Sequence, residues 1–178
     1  MIVEGWISEL EMQWILSYMP EDKGTIVETG SATGRLFAYL YEFKPKWKYV
    51  GVDAWDKEIV YLQKDYTKDY FDEDALNYKK RITQDMFVKN CPFAESHNCY
   101  FEDWKPTVQN VDVFSMGAIN NWIVWKDVYD KARQITKPGG LIFGRNIWDK
   151  LHREAILNTI KNMQVIETMG GGFLIKND

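Results

Sequence analysis

Residues 26–34 read IVETGSATG, and residues 49–53 read YVGVD. The first stretch is an apolar run that passes into a turn of glycine and small residues, after which a helix is expected to begin at about Arg35. The second stretch is an apolar run that ends in the carboxylate of Asp53. Because Gly30 lets the backbone turn sharply with no Cβ in the way, the two stretches predict parallel strands joined through a helix.

The turn after the first strand has the composition of a ligand-binding loop. Ala32 and Gly34 keep the turn low, so that a ligand can lie against main-chain N–H groups near the helix start. Asp53 is expected at the tip of the second strand, where a carboxylate can accept hydrogen bonds from both hydroxyls of a ribose. We therefore predict a nucleoside-containing cofactor at the C-terminal ends of parallel strands, against the alternative of a glycine-rich turn that binds nothing.

The spacing within the turn distinguishes between two nucleotide-binding motifs. A dinucleotide site is marked by G-x-G-x-x-G, whereas Glu28, Gly30, Ala32 and Gly34 give E-x-G-x-A-x-G. The latter pattern resembles the first motif of the class I S-adenosylmethionine-dependent methyltransferases, in which the middle glycine is often another small residue. The spacing disfavours a nucleotide-cofactor protein of another class, such as an NAD-dependent enzyme.

Length and composition predict one domain spanning residues 1–178. The chain has 178 residues, 46% of them hydrophobic, which suffices for one substantial core and leaves no room for a second catalytic domain. Lys and Arg number 22 against 26 for Asp and Glu, and a net charge of −4 disfavours a nucleic-acid partner. The sequence lacks a long uncharged apolar stretch and a secretory pattern, so we expect a cytoplasmic protein with no membrane partner. A homo-oligomer is left open.

Two cysteines are too few for a disulfide framework, and Cys91 and Cys99 are expected to be reduced thiols. Together with His97 they form a C-x5-H-x-C pattern. Two thiols and one imidazole lack the fourth ligand of a structural zinc site. We therefore predict no metal site here.

The chain alternates between short apolar runs and helical segments. The predicted strands are residues 25–29, 49–53, 98–101, 111–116, 141–144, 164–168 and 173–176. The predicted helices are one within residues 1–23, where Ser8 and Glu11 form a capping box, and those at 35–43, 125–135 and 149–162. The last two strands are joined by glycines and are expected to form a hairpin. The pattern predicts an α/β fold with a Rossmann-like, doubly wound, seven-stranded sheet whose last strand is antiparallel.

Residues 56–96 contain no convincing strand and are longer than one simple crossover. Asp74 could cap a helix that runs through Val88. One interpretation is a helical insert that covers the sheet, and the other is a lid over the pocket, because loops at this end of an α/β sheet form the ligand site.

Further motifs extend the resemblance over nearly the whole chain. Residues 5–8 (GWIS), residues 51–55 (GVDAW), the pair Phe87-x-x-Asn90 and residues 137–144 (KPGGLIFG) are similar to a small bacterial and phage-type branch of the class I methyltransferases. The KPGG turn occurs across the superfamily and carries no information about the substrate. The resemblance implies the class I methyltransferase fold and S-adenosyl-L-methionine as the cofactor.

The resemblance also implies roles for individual residues. The expected cofactor-binding residues are Glu28, Gly30, Ser31, Ala32, Gly34, Asp53, Ala54, Trp55, Glu102, Asp103 and Gly117. Glu28 and the backbone of the turn would hold the methionine part, and Asp53 the ribose. Ala54 or Trp55 would cover one adenine face, although Trp55 could instead pack in the core. Glu102 or Asp103 would approach the adenine amino group, with a solvated turn as the alternative.

The region after the fourth strand departs from the pattern of many relatives. Gly117 stands where those relatives have an acid, Asn120 stands near their histidine, and Arg145-Asn146 replaces an acid or a His-Asp pair after the fifth strand. Metal-dependent O-methyltransferases need two or three hard oxygen ligands for Mg²⁺, which Asn146 alone cannot supply. The Asn/Asp-Pro-Pro-aromatic signature of enzymes that methylate amino groups of nucleic acids is also absent.

These departures shape the functional prediction. Methyl transfer needs mainly alignment of the acceptor at near-attack distance, and the candidate catalytic residues are Asn120, Arg145 and Asn146. Arg145 would suit a carboxylate or phosphate on the acceptor, or it could form a surface salt bridge. The first hypothesis is a metal-independent S-adenosylmethionine-dependent methyltransferase that acts on a small-molecule acceptor. The alternative is a catalytically degenerate S-adenosylmethionine-binding or regulatory protein of the same fold.

Overall fold

One mixed β-sheet organises the chain in a computed structural model. The structure describes residues 3–5, 7–20, 22–55, 77, 80–117, 122–144, 164–169 and 172–177. The strands are β1 (Thr25–Thr29), β2 (Lys48–Asp53), β3 (Glu95–Asn98), β4 (Val111–Met116), β5 (Thr136–Gly144), β6 (Gln164–Met169) and β7 (Gly172–Lys176). The helices are α1 (Glu9–Tyr18), α2 (Arg35–Phe43), α3 (Gln84–Asn90) and α4 (Trp122–Ile135).

The strand order within the described residues is β3-β2-β1-β4-β5-β7-β6. The pairs from β3 to β5 are all parallel, and β7 runs antiparallel to both β5 and β6. This arrangement confirms the predicted α/β fold and the antiparallel final strand. The order reverses between β1 and β4, which is the point where α/β sheets bind ligands outside the carboxyl ends of their strands.

The central strands are buried on both faces, as expected for parallel strands covered by helices. Neighbouring side chains of β1 point to opposite faces, so Ile26 and Val27 belong to different core clusters. Val27 packs in the cluster that contains Tyr129 of α4, and Ile26 packs in the cluster that contains Trp14 of α1 and Phe37 of α2. Helices therefore cover both faces of the sheet.

The first helix begins where its local signal predicts. The Ser8 hydroxyl accepts a hydrogen bond from the Glu11 N–H at 3.2 Å, and the Glu11 carboxylate accepts one from the Ser8 N–H at 2.9 Å. This is the predicted capping box. On the buried face, the Trp14 ring lies edge-on against Phe143 of β5, with 5.3 Å between ring centroids, which fixes α1 on the sheet.

The third strand differs from the prediction. It was expected at residues 98–101, but β3 ends at Asn98. The reason is its place at the sheet edge, where β3 pairs only with β2 within the described residues. A half-exposed edge strand can be polar, as the sequence ESHN is. The apolar Phe101 lies beyond the strand and packs edge-on against Phe114, with 5.6 Å between ring centroids.

Apart from one-residue differences at β2, β6 and β7, three further boundaries differ from those expected. The KPGG segment belongs to β5 as an irregular stretch, since Val111 pairs with Thr136 but Val113 pairs with Leu141. Helix α4 begins at Trp122, three residues earlier than predicted. Helix α3 is capped by the Thr83 hydroxyl. The predicted cap Asp74 and the predicted helix at 149–162 lie outside the described residues.

Candidate cofactor site

The loop after β1 takes a conformation that two side chains from the end of β2 hold in place. Ala32 has a φ of 47°, in the left-handed region that residues with a Cβ rarely adopt. Its N–H donates to the Asp53 carboxylate at 2.8 Å, and its carbonyl accepts from the Trp55 indole N–H at 2.5 Å. Both main-chain polar groups of Ala32 are thus bonded to the neighbouring strand end.

Asp53 joins three strands at their carboxyl ends. Its carboxylate binds the loop that follows β1, and its main-chain carbonyl accepts a hydrogen bond from the Cys99 N–H just after β3 at 3.0 Å. The side chain is only 6% exposed. A carboxylate of this kind, held beside the loop, lies where the sequence predicts a ribose-binding acid.

Residues at the end of α3 form hydrogen bonds with the carbonyl groups of the loop. The Asn90 side-chain N–H donates to the Thr33 carbonyl at 2.9 Å, and the Cys91 thiol donates to the Gly34 carbonyl at 3.3 Å. Burial, with the carboxylate of Glu28 adding to it, raises the pKa of Cys91 to about 12. The thiol therefore stays protonated at neutral pH and keeps its donor hydrogen.

The N-terminal segment also contacts the loop, through hydrogen bonds to Thr33 and Arg35. We call residues 3–5 the N-terminal strap. The Thr33 hydroxyl donates to the Glu4 carbonyl, and the Arg35 guanidinium donates through Nη1 to the Gly5 carbonyl at 2.9 Å. The Val3 side chain is buried. The loop and the residue that follows it are therefore hydrogen-bonded both to the end of α3 and to the strap.

A pocket opens between the strap, the loop and the end of β4. Its lining residues are Gly5, Ile7, Glu28, Gly30, Ser31, Ala32, Thr33, Arg35, Leu36 and Gly117. Gly117 reaches this position because its N–H continues the sheet pairing and donates to the Thr29 carbonyl at 2.9 Å. The pocket therefore lies at the carboxyl ends of β1 and β4, on either side of the point where the strand order reverses.

The structure brings most of the predicted cofactor residues together. Glu28, Gly30, Ser31, Ala32 and Gly117 all line the pocket. Asp53 and Gly34 adjoin it: Asp53 binds the Ala32 amide, and the Gly34 N–H donates to the Ser31 carbonyl at 2.8 Å. Five of these seven residues lie within residues 28–34, and the fold brings Asp53 from the end of β2 and Gly117 from just after β4 to the same loop.

Trp55 and Ala54 follow Asp53 at the end of β2. The Trp55 side chain is 5% exposed and lies tilted against Phe87, with 5.0 Å between ring centroids. These contacts, together with its hydrogen bond to Ala32, match the packing alternative for Trp55. Ala54 is half-buried beside it. An adenine contact by either residue stays a prediction.

Glu102 and Asp103 lie in a turn after β3 and have exposed side chains. Lys131 of α4 fastens this turn by donating to the carbonyls of Phe101 and Glu102 at 2.7 and 3.2 Å. Neither acid is among the residues that line the pocket. Their approach to an adenine amino group stays a prediction.

The candidate catalytic residues Asn120, Arg145 and Asn146 lie outside the described residues, as do positions 56–76, 78 and 79 of the 56–96 segment. In the part of the chain that is described, no group of three or more His, Cys, Asp or Glu side chains is arranged to hold a metal ion. Within the same residues, every helix is too short or too polar to cross a membrane.

Four residues contribute to the site without a role predicted for them: Thr33, Arg35, Asn90 and Cys91. The motif Phe87-x-x-Asn90 did carry a signal, since it contributed to the resemblance. Its function is visible only in three dimensions, because Asn90 binds a carbonyl that is 57 positions away along the chain.

The sequence matches no protein-family profile and no curated protein sequence. Solved structures of S-adenosylmethionine-dependent methyltransferases are similar to it in three dimensions. An O-methyltransferase from Thermotoga maritima has a TM-score of 0.65 at 10% identity, with 98% of this chain and 67% of that chain covered. A precorrin-6y C5,15-methyltransferase from Geobacter metallireducens has a TM-score of 0.62 at 11% identity, with 99% and 91% covered.

A ribosomal protein L11 methylase from Lactobacillus delbrueckii has the same TM-score of 0.62 at 9% identity, covering 98% of this chain and 80% of that one. Identities this low establish a shared fold and nothing narrower. The chain has the fold of the class I S-adenosylmethionine-dependent methyltransferases, and its pocket lies at the carboxyl ends of the strands.

Proposed function

We propose that this chain is an S-adenosylmethionine-dependent methyltransferase that acts on a small-molecule acceptor without a metal ion. The observation that carries the proposal is the hydrogen bond of 2.8 Å between the Asp53 carboxylate and the Ala32 amide, beside a pocket lined by Glu28 and Gly117. A nucleoside needs an acid for its ribose next to a loop that exposes main-chain groups. Asp53 and the loop after β1 lie together at one end of the sheet.

The described residues fit S-adenosylmethionine, which when bound supplies an electrophilic methyl group on a sulfonium. Glu28 is 2% exposed and lines the pocket, so its carboxylate suits a cationic group of the cofactor. Gly30 and Ser31 would contribute main-chain contacts, and Asp53 would accept hydrogen bonds from the ribose. The loop is held by Asp53, Trp55 and Asn90, which means that it needs little rearrangement on binding.

We also propose the extent of the domain, its cellular location and its acceptor class. We take residues 1–178 as one domain with the seven-stranded sheet of the class I fold, related to the small bacterial and phage-type branch. Composition supports a cytoplasmic protein, and a homo-oligomer is compatible with it. Methyltransferases with a similar fold include, by name, enzymes for a precorrin and for a ribosomal protein, so the fold does not indicate the acceptor. The proposal of a small-molecule acceptor is instead based on the acidic composition and on the absence of the Asn/Asp-Pro-Pro-aromatic signature.

Catalysis would come from positioning. Gly117 contributes no side chain at the end of β4, where related enzymes have an acid, and Asn146 is a single amide, so a cage of oxygen ligands for Mg²⁺ is not supported. We propose Asn120, Arg145 and Asn146 as the residues that border the acceptor and align it with the methyl group.

The first experiment measures cofactor binding by calorimetry. The wild-type protein should bind S-adenosylmethionine and S-adenosylhomocysteine but not NAD. Asp53→Ala should weaken S-adenosylhomocysteine binding by about 1–3 kcal/mol, the scale for hydrogen bonds to a charged group. Asp22→Ala, which changes an exposed acid, is the matched control and should bind as the wild type does. Unchanged affinity in Asp53→Ala would remove this residue from the site.

The second experiment measures transfer of a labelled methyl group to a panel of metabolites, including carboxylates and phosphates. Activity should survive EDTA, and strict dependence on added Mg²⁺ would contradict the proposal. The empty side-chain position at Gly117 favours one other candidate, a binding or regulatory protein that has lost transfer chemistry. Tight cofactor binding without transfer to any acceptor would support that candidate.

A further inference from the structure

Three residues of the loop after β1 have a left-handed backbone. Gly30, Ala32 and Gly34 have φ values of 71°, 47° and 83°. Glycine adopts this conformation readily because it has no Cβ, whereas alanine is disfavoured there because its Cβ comes too close to the backbone. Ala32 is therefore the one residue of the three whose own preference opposes the shape of the loop.

Trp55 binds Ala32 through a group that has no second role. The Asp53 carboxylate, which accepts a hydrogen bond from the Ala32 N–H at 2.8 Å, is also the acid proposed for the ribose. The indole of Trp55 has a single N–H, and this N–H donates to the Ala32 carbonyl at 2.5 Å. The side chain of Trp55 is only 5% exposed, which leaves little ring surface for contact with a ligand.

Packing against α3 fixes the direction of the indole. The Trp55 ring lies tilted at 45° against Phe87, with 5.0 Å between ring centroids, and Phe87 is fully buried. A Cβ placed on Gly51 would lie 2.7 Å from the Phe87 Cζ and 2.9 Å from the Ser31 Oγ. The Phe87 ring thus fills the space between β2 and the loop, and the indole cannot turn away without leaving a cavity.

We propose that Trp55 is a positioning residue for the cofactor, whose indole N–H keeps Ala32 in the left-handed conformation and so compensates for an alanine in the glycine motif. The inference rests on the proposed function and gives Trp55 a role different from the adenine contact that the resemblance implies. Without the indole bond, a share of the molecules leaves the binding-competent loop conformation, and the apparent affinity falls with the competent fraction. A glycine at position 32 removes the strain and with it the need for Trp55.

A double-mutant cycle, measured by calorimetry with S-adenosylhomocysteine, tests this compensation. Trp55→Phe keeps an aromatic ring against Phe87 and removes the N–H. It should weaken binding roughly threefold to tenfold, the range for losing one hydrogen bond. The same substitution made in the Ala32→Gly protein should weaken binding less than about twofold further. A direct contact of Trp55 with the adenine predicts an equal loss in both backgrounds.

Trp47→Phe is the matched control for Trp55→Phe. Trp47 is also 5% exposed, and it precedes β2 at the end of the strand opposite to Asp53. The control variant should lower the melting temperature, because a buried ring becomes smaller, and should leave S-adenosylhomocysteine affinity unchanged. A loss of affinity in Trp55→Phe that Trp47→Phe does not share therefore reports on the loop and not on general stability.

Amide hydrogen exchange without ligand separates the inference from the proposed function. Residues 30–33 should exchange roughly threefold to tenfold faster in Trp55→Phe than in the wild type, and at the wild-type rate in Trp47→Phe. Unchanged exchange in Trp55→Phe, or equal affinity losses in the two backgrounds, would overturn the inference alone. Should Trp55→Phe not fold, failure of Ala32→Gly to restore folding would overturn it as well. A wild-type protein that does not bind S-adenosylhomocysteine would overturn the proposed function, and the exchange rates would still test the hold of Trp55 on Ala32.

Discussion

Ala32 shows how single residues set the geometry of this site. A left-handed backbone costs a residue with a Cβ about 1–2 kcal/mol, yet Ala32 adopts a φ of 47°. Its amide and carbonyl are both bonded to side chains from the end of β2, Asp53 and Trp55. These bonds offset the strain, so the loop shape follows from contacts with β2 more than from its own sequence.

Gly34 is the position in the loop where a methyl group would be most disruptive. It has a φ of 83°, and an added Cβ would lie 2.5 Å from the Cys91 Sγ. Gly34→Ala should lower the free energy of unfolding by about 2–4 kcal/mol, because backbone strain and overpacking act together. Urea denaturation measures this loss.

Gly139→Ala is the matched control for Gly34→Ala. Gly139 has a similar φ of 76°, but an added Cβ would meet only the Lys176 Cε at 3.8 Å, so this variant should lose about 1–2 kcal/mol through strain alone. Equal losses in the two variants would show that contact with Cys91 does not matter. A double-mutant cycle with Cys91→Ala should recover part of the loss in Gly34→Ala.

Cys91 should make the stability of the protein depend on alkaline pH. Burial raises its pKa from 9.0 to about 12, so between these values the unfolded thiol loses its proton while the folded thiol keeps it. Stability from this group is therefore complete below pH 9 and falls as the pH rises, by at most about 1.4 kcal/mol per pH unit.

Urea denaturation at pH 7.5 and pH 10 tests this titration. The wild type should lose about 1 kcal/mol more between the two pH values than Cys91→Ala does. Tyr49 adds a further fall at higher pH, since burial raises its pKa well above the ordinary value. An identical pH dependence in wild type and Cys91→Ala would contradict the assignment.

At the scale of elements, α3 supports the loop after β1. Asn90 and Cys91 at its end bind the Thr33 and Gly34 carbonyls, and Phe87 packs beneath Trp55. A short helix on one face of the sheet thereby helps to fix the conformation of a loop at the end of the strands. The loop is held from α3, from β2 and from the strap.

Replacing Asn90 tests this support. Asn90→Ala removes the donor to the Thr33 carbonyl and should cost about 1 kcal/mol of stability. It should also weaken S-adenosylhomocysteine binding severalfold, because the loop is less well positioned. Lys89→Ala alters the exposed neighbour on the same helix and should change neither quantity. Thermal unfolding and calorimetry on both variants measure the two effects.

At the scale of the whole molecule, Asn177 connects the end of the chain to the junction of α4 and β5. Its side-chain N–H groups donate to the Thr136 carbonyl at 2.7 Å and to the Arg133 carbonyl at 3.1 Å. Its main chain pairs with Gly139 and Gly140. These bonds lie at the start of β5, at the opposite end of the sheet from the pocket.

Asn177→Ala should therefore lower stability without changing cofactor binding. It leaves the buried Thr136 carbonyl and the partly buried Arg133 carbonyl without this donor, and the expected loss in the free energy of unfolding is about 2–4 kcal/mol. Lys176→Ala, at the exposed adjacent position, should lose far less. Weakened S-adenosylhomocysteine binding in a folded Asn177→Ala protein would show that the two ends of the sheet are coupled.

The sequence by itself determined the elements whose signals are local. The predicted bounds of β1, α2 and β4 agree with the structure. The two strands are apolar runs that end at a turn, and the helix begins directly after Gly34. The Ser8 capping box involves residues three positions apart. The turn at Gly30 and the acid at Asp53 likewise predicted the end of the sheet at which the pocket is found.

The tertiary structure decided what depends on contacts between distant residues. The strand β3 was misplaced because the prediction relied on apolar runs, whereas a strand at the sheet edge can be polar. The support of the loop by Asn90 and the strap's hold on Arg35 were not predicted, since their partners are 57 and 30 positions away. Spacing encodes short-range geometry within a few residues, whereas only the strand order and helix packing bring such distant groups to bonding distance.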